Sequence, residues 1–292
     1  MNMKKKEPLY ITGHRHPDTD SIASAIAFAF FKRSMGQPAT PCRLGALNAE
    51  TAYLLDRFGF EPPQLLQDAR MKLSEIAMDP PVSITPETTI YETMQIMQKE
   101  NLAYCGVVDA RNHVLGMVTK SDFSVVGLDD TARSIDILAH TPVENIRKTI
   151  NGSIVYDDPN VTVNGKVSII AMTYPEHLDR YEVEKRIVIV GADTMAQKKC
   201  IQLGAGMLII VWADTVDESV IEEAKKHHCP IIRSGHGTMN TSRYLYFAPS
   251  VERIMKKNPI LFHTNELAED VGVKMLRNRY RAYPVVDQNE QL

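Results

Sequence analysis

The sequence predicts an α/β protein with several parts, and three patterns support this fold class. The apolar run Leu9–Thr12 predicts a buried strand, and after a glycine-containing loop the alanine-rich run Ile22–Met35 predicts a buried helix. Short β-branched runs alternate with helical segments over residues 142–248, which indicates a parallel sheet. A strand–helix–strand pattern near residue 90 recurs near residue 268.

Residues 1–67 continue the alternation that begins with the first strand and helix. A second strand is expected within residues 38–47, and a helix over Ala49–Phe58 ends at Gly59. The pair Pro62-Pro63 then breaks the pattern and predicts a linker. One strand–helix–strand unit with one more helix is less than a self-sufficient domain, so we expect partner elements from elsewhere.

The loop between the first strand and the first helix contains side chains that bind metals. His14, Asp18 and Asp20 follow the carboxyl end of the strand, where α/β folds gather ligands. One imidazole and two carboxylates suit Mn²⁺, Co²⁺, Mg²⁺ or Zn²⁺. In the alternative interpretation Asp18, Asp20 and Ser21 only cap the helix, and His14 and His16 are solvated. We favour the metal site, because a helix cap needs no histidine four residues before an aspartate.

Two stretches of the sequence resemble a known family. Gly13–Ile22 resembles the first signature of the DHH phosphoesterase superfamily, and within it most of all the manganese- or cobalt-dependent inorganic pyrophosphatases of family II. Arg43–Thr51 is similar to the stretch that follows the first helix in those pyrophosphatases. Relatives that cleave phosphodiesters or short oligonucleotides usually carry Gly-Asp-Ala or Ala-Asp-Ala where this chain has Thr19-Asp20-Ser21.

This resemblance implies that residues 1–67 are the first part of a DHH-type parallel-sheet catalytic domain. It implies that His14 and Asp18 bind one metal and Asp20 the second. The implied cofactor is Mn²⁺ or Co²⁺, with Mg²⁺ as a further candidate. No catalytic residue beyond these metal ligands is identified in the chain.

Residues 68–127 form a second part, with strands at Ser83-Ile84 and Cys105–Val108 around a helix over residues 89–100. A turn and the returning hairpin strand Val114–Val118 follow. Residues 128–141 are expected to be a linker.

Residues 249–292 repeat the pattern of residues 68–127 at a constant separation of 178 positions. Ile76 falls on Ile254, Met97 on Met275, Val107-Val108 on Val285-Val286 and Asp109 on Asp287. Chance alignment of apolar residues is the alternative. By the same separation, the partner of the hairpin strand falls beyond Leu292, so we expect the second copy to be truncated.

The repeat resembles a pair of CBS modules, which commonly bind adenine nucleotides in the cleft between them. The stretch Gly116–Asp122 is similar to the ribose-binding stretch of that family, which implies that Asp122 accepts the ribose hydroxyls and Thr119 lies near the phosphates. In the second copy the resemblance implies nucleotide contacts from Arg279 and Tyr280. The alternatives are a helix cap at Thr119 and Asp122 and a solvated rim at Arg279 and Tyr280.

Residues 142–248 are expected to form an independent α/β domain between the two copies. Strands are predicted at 187–191, 207–212 and 230–232, with helices at 194–203 and 219–228. The segment resembles the DRTGG domain, although Gly191–Met195 departs from the motif that names it. We favour the interpretation that this domain is a spacer, which packs on the same domain of the second subunit in a dimer.

Charge, apolar runs and cysteine content indicate which partners and which compartment are expected for this protein. A net charge of −3 gives no electrostatic reason to expect nucleic-acid or membrane binding. The longest apolar run, Ile22–Phe31, is too short to span a bilayer, and no signal-peptide segment follows the basic N-terminus. Four scattered cysteines without a Cys-x-x-Cys pair indicate reduced thiols in a cytoplasm.

The order DHH start, CBS module, DRTGG domain and second CBS module resembles the regulated family II pyrophosphatases. That resemblance implies two-metal hydrolysis of pyrophosphate by a homodimer, inhibited by AMP or ADP and activated by ATP or diadenosine polyphosphates. In that family the remaining metal ligands follow the insert, so we expect residues 1–292 alone to be inactive. The alternatives are a nucleotide-sensing module with a purely structural DHH start, and a DHH phosphodiesterase or oligoribonuclease.

Overall fold

The computed structural model describes residues 9–66, 68, 70–124, 126, 132–171, 175–278 and 280–292. These residues belong to two compact units. Unit 1 comprises Met1–Met78 and Thr264–Arg279, and unit 2 comprises Asp79–His263 and Tyr280–Leu292.

Unit 1 opens with a three-stranded parallel sheet in the order β1-β2-β3. Its elements are β1 (Leu9–Ile11), α1 (Thr19–Ser34), β2 (Ala39–Arg43), α2 (Ala49–Phe58) and β3 (Gln64–Leu65). Each helix connects two parallel strands, which the alternation predicted for α1 but not for α2. Gly59 ends α2 with a φ of 68°, which glycine tolerates without strain. The linker predicted from Pro62-Pro63 is followed at once by β3, a strand that the sequence pattern did not indicate.

Two predictions about burial in this sheet are wrong. The first strand is present, but Leu9 and Tyr10 are exposed. The first helix begins at Thr19 rather than Ile22 and buries only one narrow face, with Ile22, Ala25 and Ala29. Its larger side chains face solvent, and Phe30 is 72% exposed. The described part of unit 1 offers a sheet of three short strands, which covers one side of a helix that is apolar all round.

Unit 2 begins with a strand–helix–hairpin arrangement that matches the prediction. It contains β4 (Ser83–Ile84), α3 (Ile90–Lys99), β5 (Tyr104–Val108), β6 (Val114–Thr119) and the short α4 (Lys120–Phe123). β4 pairs with β5 in parallel, and β5 and β6 form an antiparallel hairpin. Thr89 caps α3 through its side chain, and Ile90 and Met97 face the core.

The middle of unit 2 is a five-stranded sheet in the order β7-β11-β10-β9-β8. The elements are α5 (Ala132–Ala139), α6 (Val143–Thr149), β7 (Ser153–Tyr156), β8 (Val167–Ile170), β9 (Ile187–Val190), α7 (Thr194–Gln202), β10 (Met207–Ile210), α8 (Glu218–Lys226), β11 (Ile231–Arg233) and α9 (Thr238–Leu245). Strands β9, β10 and β11 are parallel, as predicted. Two strands that the sequence did not predict complete the sheet, with β8 parallel to β9 and β7 antiparallel to β11 at the edge. Side chains of β9 and β10 alternate between two buried clusters, and helices pack their apolar sides on both faces of the sheet.

The linker expected at residues 128–141 contains α5. Leu138 of this helix is buried in the same cluster as Ile146 and Leu245, so the segment packs on the central sheet. Gly165 lies against α5 so closely that a Cβ there would come within 1.8 Å of the Ile135 carbonyl oxygen. Because this glycine also has a φ of 74°, no other residue fits here without strain.

The second copy of the repeat keeps the parallel strand pairing of the first. It includes β12 (Lys256–Lys257), β13 (Phe262–His263), α10 (Ala268–Asn278, in unit 1) and β14 (Val285–Val286). Phe262 pairs with Val285 in parallel, as Ile84 pairs with Val107, and both pairs keep the separation of 178 positions. β12 pairs antiparallel with β6 of the first copy.

The turns after β5 and β14 share one hydrogen-bond pattern. The Asp109 carboxylate accepts bonds from the backbone amides of Arg111 and His113 at 2.8 Å. The Asp287 carboxylate accepts the equivalent bonds from Asn289 and Gln291 at 2.8 and 3.0 Å. The two turns also touch each other, through an antiparallel bridge between His113 and Gln291.

The cores of the two copies differ. Met97 is 1% exposed, whereas Met275 at the equivalent position is 39% exposed. Of the helices in the described residues, none combines the length and apolar character that crossing a membrane requires.

Candidate functional site

The three residues predicted to bind metal lie together at the start of α1. One donor atom from each of His14, Asp18 and Asp20 lies within 4.8 Å of the others, and all three residues are exposed. The Nε2 atom of His14 is 3.1 Å from Oδ1 of Asp18. This is the one cluster of at least three such side chains that the described residues contain.

The local sequence explains why this loop brings the donors together. Asp18 is the N-cap of α1, and its Oδ1 accepts a hydrogen bond from the Ser21 amide at 3.2 Å. The backbone of Gly13 passes so close to Ser21 that a Cβ on residue 13 would lie 1.8 Å from the Ser21 Oγ. The capping interpretation therefore holds for Asp18, and the same carboxylate also faces His14.

Electrostatics at the cluster favour an ionised Asp18. A hydrogen bond with the Asp20 carboxyl group, the amide of Ser21 and the nearby His14 together hold the pKa of Asp18 below its usual value. An ionised carboxylate is the form that binds a cation.

The ligand atoms of His14, Asp18 and Asp20 suit a divalent cation such as Mn²⁺, and a cation can reach them from solvent. One imidazole and two carboxylates are ligands that Mn²⁺ and Co²⁺ accept, and their exposure leaves an approach from solvent. Behind them, the Ser21 Oγ is buried and has no hydrogen-bond partner among the described residues. A buried hydroxyl without a partner is uncommon, and sequence reasoning did not single it out.

The two nucleotide-site candidates of the first copy bond to each other. Asp122 Oδ2 accepts hydrogen bonds from the backbone amide and the Oγ1 of Thr119, at 2.8 and 2.7 Å. Together they form the capping box that starts α4. The Nζ of Lys256 on β12 lies 3.9 Å from Asp122 Oδ1, a neighbour that sequence reasoning missed because it belongs to the second copy.

The candidates of the second copy are only partly described. Arg279 lies outside the residues that the structure describes. Tyr280 is exposed, its amide donates to the Tyr283 hydroxyl at 3.2 Å, and the two rings meet edge to face at 5.9 Å. The structure therefore brings Thr119 and Asp122 together, and it leaves Tyr280 exposed.

A further polar network lies in the central sheet domain. The buried Asp158 carboxylate accepts hydrogen bonds from the Tyr156 hydroxyl, the His228 ring and the Asn160 amide. These bonds lower the pKa of Asp158 to about 2. The hydrogen bond between Tyr156 and Asp158 also raises the pKa of Tyr156 to about 12. The network ties β7 and its following loop to the residues after α8.

Comparison with protein families identifies the domains. The chain matches the CBS domain family over residues 73–126 and 251–292. It matches the DRTGG domain family over residues 145–246. The two CBS matches start 178 positions apart, which confirms that the repeat is real.

Curated relatives of similar sequence are named as pyrophosphatases. The cobalt-dependent inorganic pyrophosphatase of Clostridium perfringens is 34% identical over 290 residues, which cover 98% of this chain and 53% of that protein. The probable manganese-dependent inorganic pyrophosphatase of Thermotoga maritima is 27% identical over 293 residues, which cover 99% of this chain and 53% of that protein. The chain therefore spans about half the length of these relatives.

A similar solved structure covers the CBS and DRTGG part. It is the crystal structure of the CBS and DRTGG domains of the regulatory region of Clostridium perfringens pyrophosphatase, complexed with its activator diadenosine tetraphosphate. The TM-score is 0.68 at 30% identity, and the match covers 76% of this chain and 97% of that chain.

Proposed function

Because this chain belongs to the family of inorganic pyrophosphatases that contain CBS and DRTGG domains, we propose that the protein hydrolyses inorganic pyrophosphate to two phosphates. The chain spans about half of its curated relatives, so the proposal concerns the protein at their length. We expect residues 1–292 by themselves to be inactive. The observation that carries the proposal is the cluster of His14, Asp18 and Asp20 at the start of α1.

We assign residues 1–67 to the first part of a DHH-type catalytic domain, in which these three side chains hold the cations. His14 and Asp18 would hold one and Asp20 the second, with Mn²⁺ or Co²⁺ preferred and Mg²⁺ as a further candidate. Bound divalent cations supply Lewis acidity and neutralise charge on phosphoryl oxygens. The chain's own contribution is orientation, because the cap at Ser21 and the contact with His14 fix where the Asp18 carboxylate points.

We propose that adenine nucleotides bind the CBS modules in 68–127 and 249–292 and regulate the hydrolysis. AMP and ADP would inhibit, and ATP and diadenosine polyphosphates would activate, by shifting a homodimer between two arrangements. Diadenosine tetraphosphate is an activator of the Clostridium perfringens enzyme, which supports this ligand class. Thr119, Asp122, Arg279 and Tyr280 are the proposed contacts. Asp122 would then exchange its bonds to Thr119 for bonds to the ribose.

We place the protein in the cytoplasm. All four cysteines are free and buried, which agrees with a reducing compartment. The DRTGG domain, in 142–248, is proposed as the part that packs on its counterpart in the dimer.

The proposed activity is tested on the protein at the length of its relatives. The assay measures the release of phosphate from pyrophosphate in the presence of Mn²⁺ or Co²⁺. We expect turnover that Asp18→Ala and Asp20→Ala abolish. Turnover of bis-p-nitrophenyl phosphate without turnover of pyrophosphate would instead indicate a phosphodiesterase.

Titration calorimetry on residues 1–292 separates the enzyme from the simpler alternative. We expect binding of both Mn²⁺ and AMP. Binding of AMP with no binding of Mn²⁺ would favour a nucleotide-sensing module. The similarity to the regulatory region of the Clostridium perfringens pyrophosphatase supports this alternative.

A further inference from the structure

The loop that carries the metal-ligand side chains rests on the connection between β2 and α2. A Cβ on Gly45 would lie 2.6 Å from the Arg15 carbonyl oxygen and 2.9 Å from the Cδ of Pro17. Pro17 is buried, although its neighbours His14 and Asp18 are exposed. The backbone at Gly45 therefore forms a close-fitting support for the segment between these two ligands.

A second contact joins the first turn of α2 to the residue between Asp18 and Asp20. Thr51, which is 1% exposed, places its Oγ1 3.0 Å from the Oγ1 of Thr19. Thr19 lies between Asp18 and Asp20 in the chain, so this hydrogen bond fixes the turn from which both carboxylates project. Thr51 is itself held in place, because its amide donates to the capping side chain of Asn48 at 2.7 Å.

We propose that Thr51 and Gly45 are positioning residues for the metal ligands. Neither would be a ligand of the ion. Gly45 sets the path of the loop before Asp18, and Thr51 sets the first turn of α1 after it. Ligands held in place before the ion arrives lose less conformational freedom on binding, so this support raises the affinity for the ion. The inference rests on the proposed metal site. It adds that a second segment of the chain, with Gly45 and Thr51, holds the loop of that site in place.

A purely structural role would have a different signature. If the Thr19–Thr51 bond only joined α1 to α2, its loss would lower stability and leave metal affinity unchanged. The informative quantity is therefore the Mn²⁺ dissociation constant of the folded chain, compared with the urea midpoint of the metal-free chain.

The test is calorimetric titration of Mn²⁺ into the protein at the length of its relatives, carrying Thr51→Val, Thr51→Ser or Gly45→Ala. Valine keeps the shape and removes the hydroxyl, so we expect affinity to fall about five- to tenfold, the effect of one net hydrogen bond. Serine keeps the hydroxyl and should restore affinity to within about twofold of the unaltered chain. Gly45→Ala should weaken binding at least as much as Thr51→Val, because its Cβ displaces the loop.

Gly191→Ala is the matched control, since a Cβ there meets no atom within 4 Å. If the unaltered chain binds Mn²⁺, Asp18→Asn abolishes binding and both Thr51→Val and Gly45→Ala bind normally, the positioning role is wrong and the metal site stands. If the unaltered chain does not bind Mn²⁺, both proposals are wrong. If Gly45→Ala does not fold, Thr51→Val with its serine counterpart decides the question.

Discussion

Asp18→Asn distinguishes a carboxylate that binds metal from one that only caps a helix. Asparagine caps as well as aspartate, whereas alanine does not cap. For a domain of 60–100 residues, the size class of unit 1, loss of one cap lowers the melting temperature by about 4–8 °C. Without metal we therefore expect Asp18→Asn to melt close to the unaltered chain and Asp18→Ala to melt several degrees lower.

Manganese then separates the two interpretations. An ion at 100 times its dissociation constant stabilises the folded state by about 2.7 kcal/mol, which is about 10–20 °C in a domain of this size. We expect that shift in the unaltered chain and none in either variant, measured by differential scanning calorimetry of residues 1–292 with and without Mn²⁺. Two results would refute the reasoning: an equal shift in Asp18→Asn, or no shift in the unaltered chain.

Three further predictions follow from other parts of the structure. Asp158→Asn should flatten the acid side of the stability profile, because a pKa of about 2 gives stability that is full above about pH 4 and is lost as the pH falls through 2. Urea midpoints from pH 2 to 6, followed by circular dichroism, would show the same profile in the variant and the unaltered chain if this is wrong. Met97→Ala should lower the free energy of unfolding by about 2–5 kcal/mol, and Met275→Ala should lower it clearly less, because Met97 is buried and Met275 is exposed. Urea titrations followed by circular dichroism measure both losses, and equal losses would contradict this reasoning. Asp122→Ala should weaken AMP binding by calorimetry more than tenfold, as expected when a charged hydrogen-bond acceptor is lost, and unchanged affinity would leave Asp122 as a cap alone.

Local patterns in the sequence predicted the elements well. The helix Ala49–Phe58 ends at Gly59 as expected, because a left-handed glycine is a strong stop signal. The hairpin of β5 and β6 and the constant separation of the two copies follow from periodicity alone. That His14, Asp18 and Asp20 lie together was predictable for the same reason, since the three side chains lie within seven residues of one loop.

Features that depend on distant residues could not be predicted. Nothing in the alternation of residues 128–141 shows that Leu138 enters the core of the central sheet domain. The apolar character of α1 suggested full burial, because composition does not reveal how few neighbours the helix has. Asp122 is recognisable as a polar residue at a helix start, but its neighbour Lys256 comes from the second copy and only the fold brings it there.

The paired turns bear on how the two CBS copies arose and how they can diverge. His113 lies opposite Gln291, its own counterpart in the other copy, so a duplicated segment meets itself at that point, as subunits do across a two-fold axis. A change that reshapes one turn would also disturb the fit of its twin. Met97 and Met275 inside the copies differ in burial, although the residue is the same. Burial inside one copy can therefore change without its counterpart, whereas the two turns have to keep fitting each other.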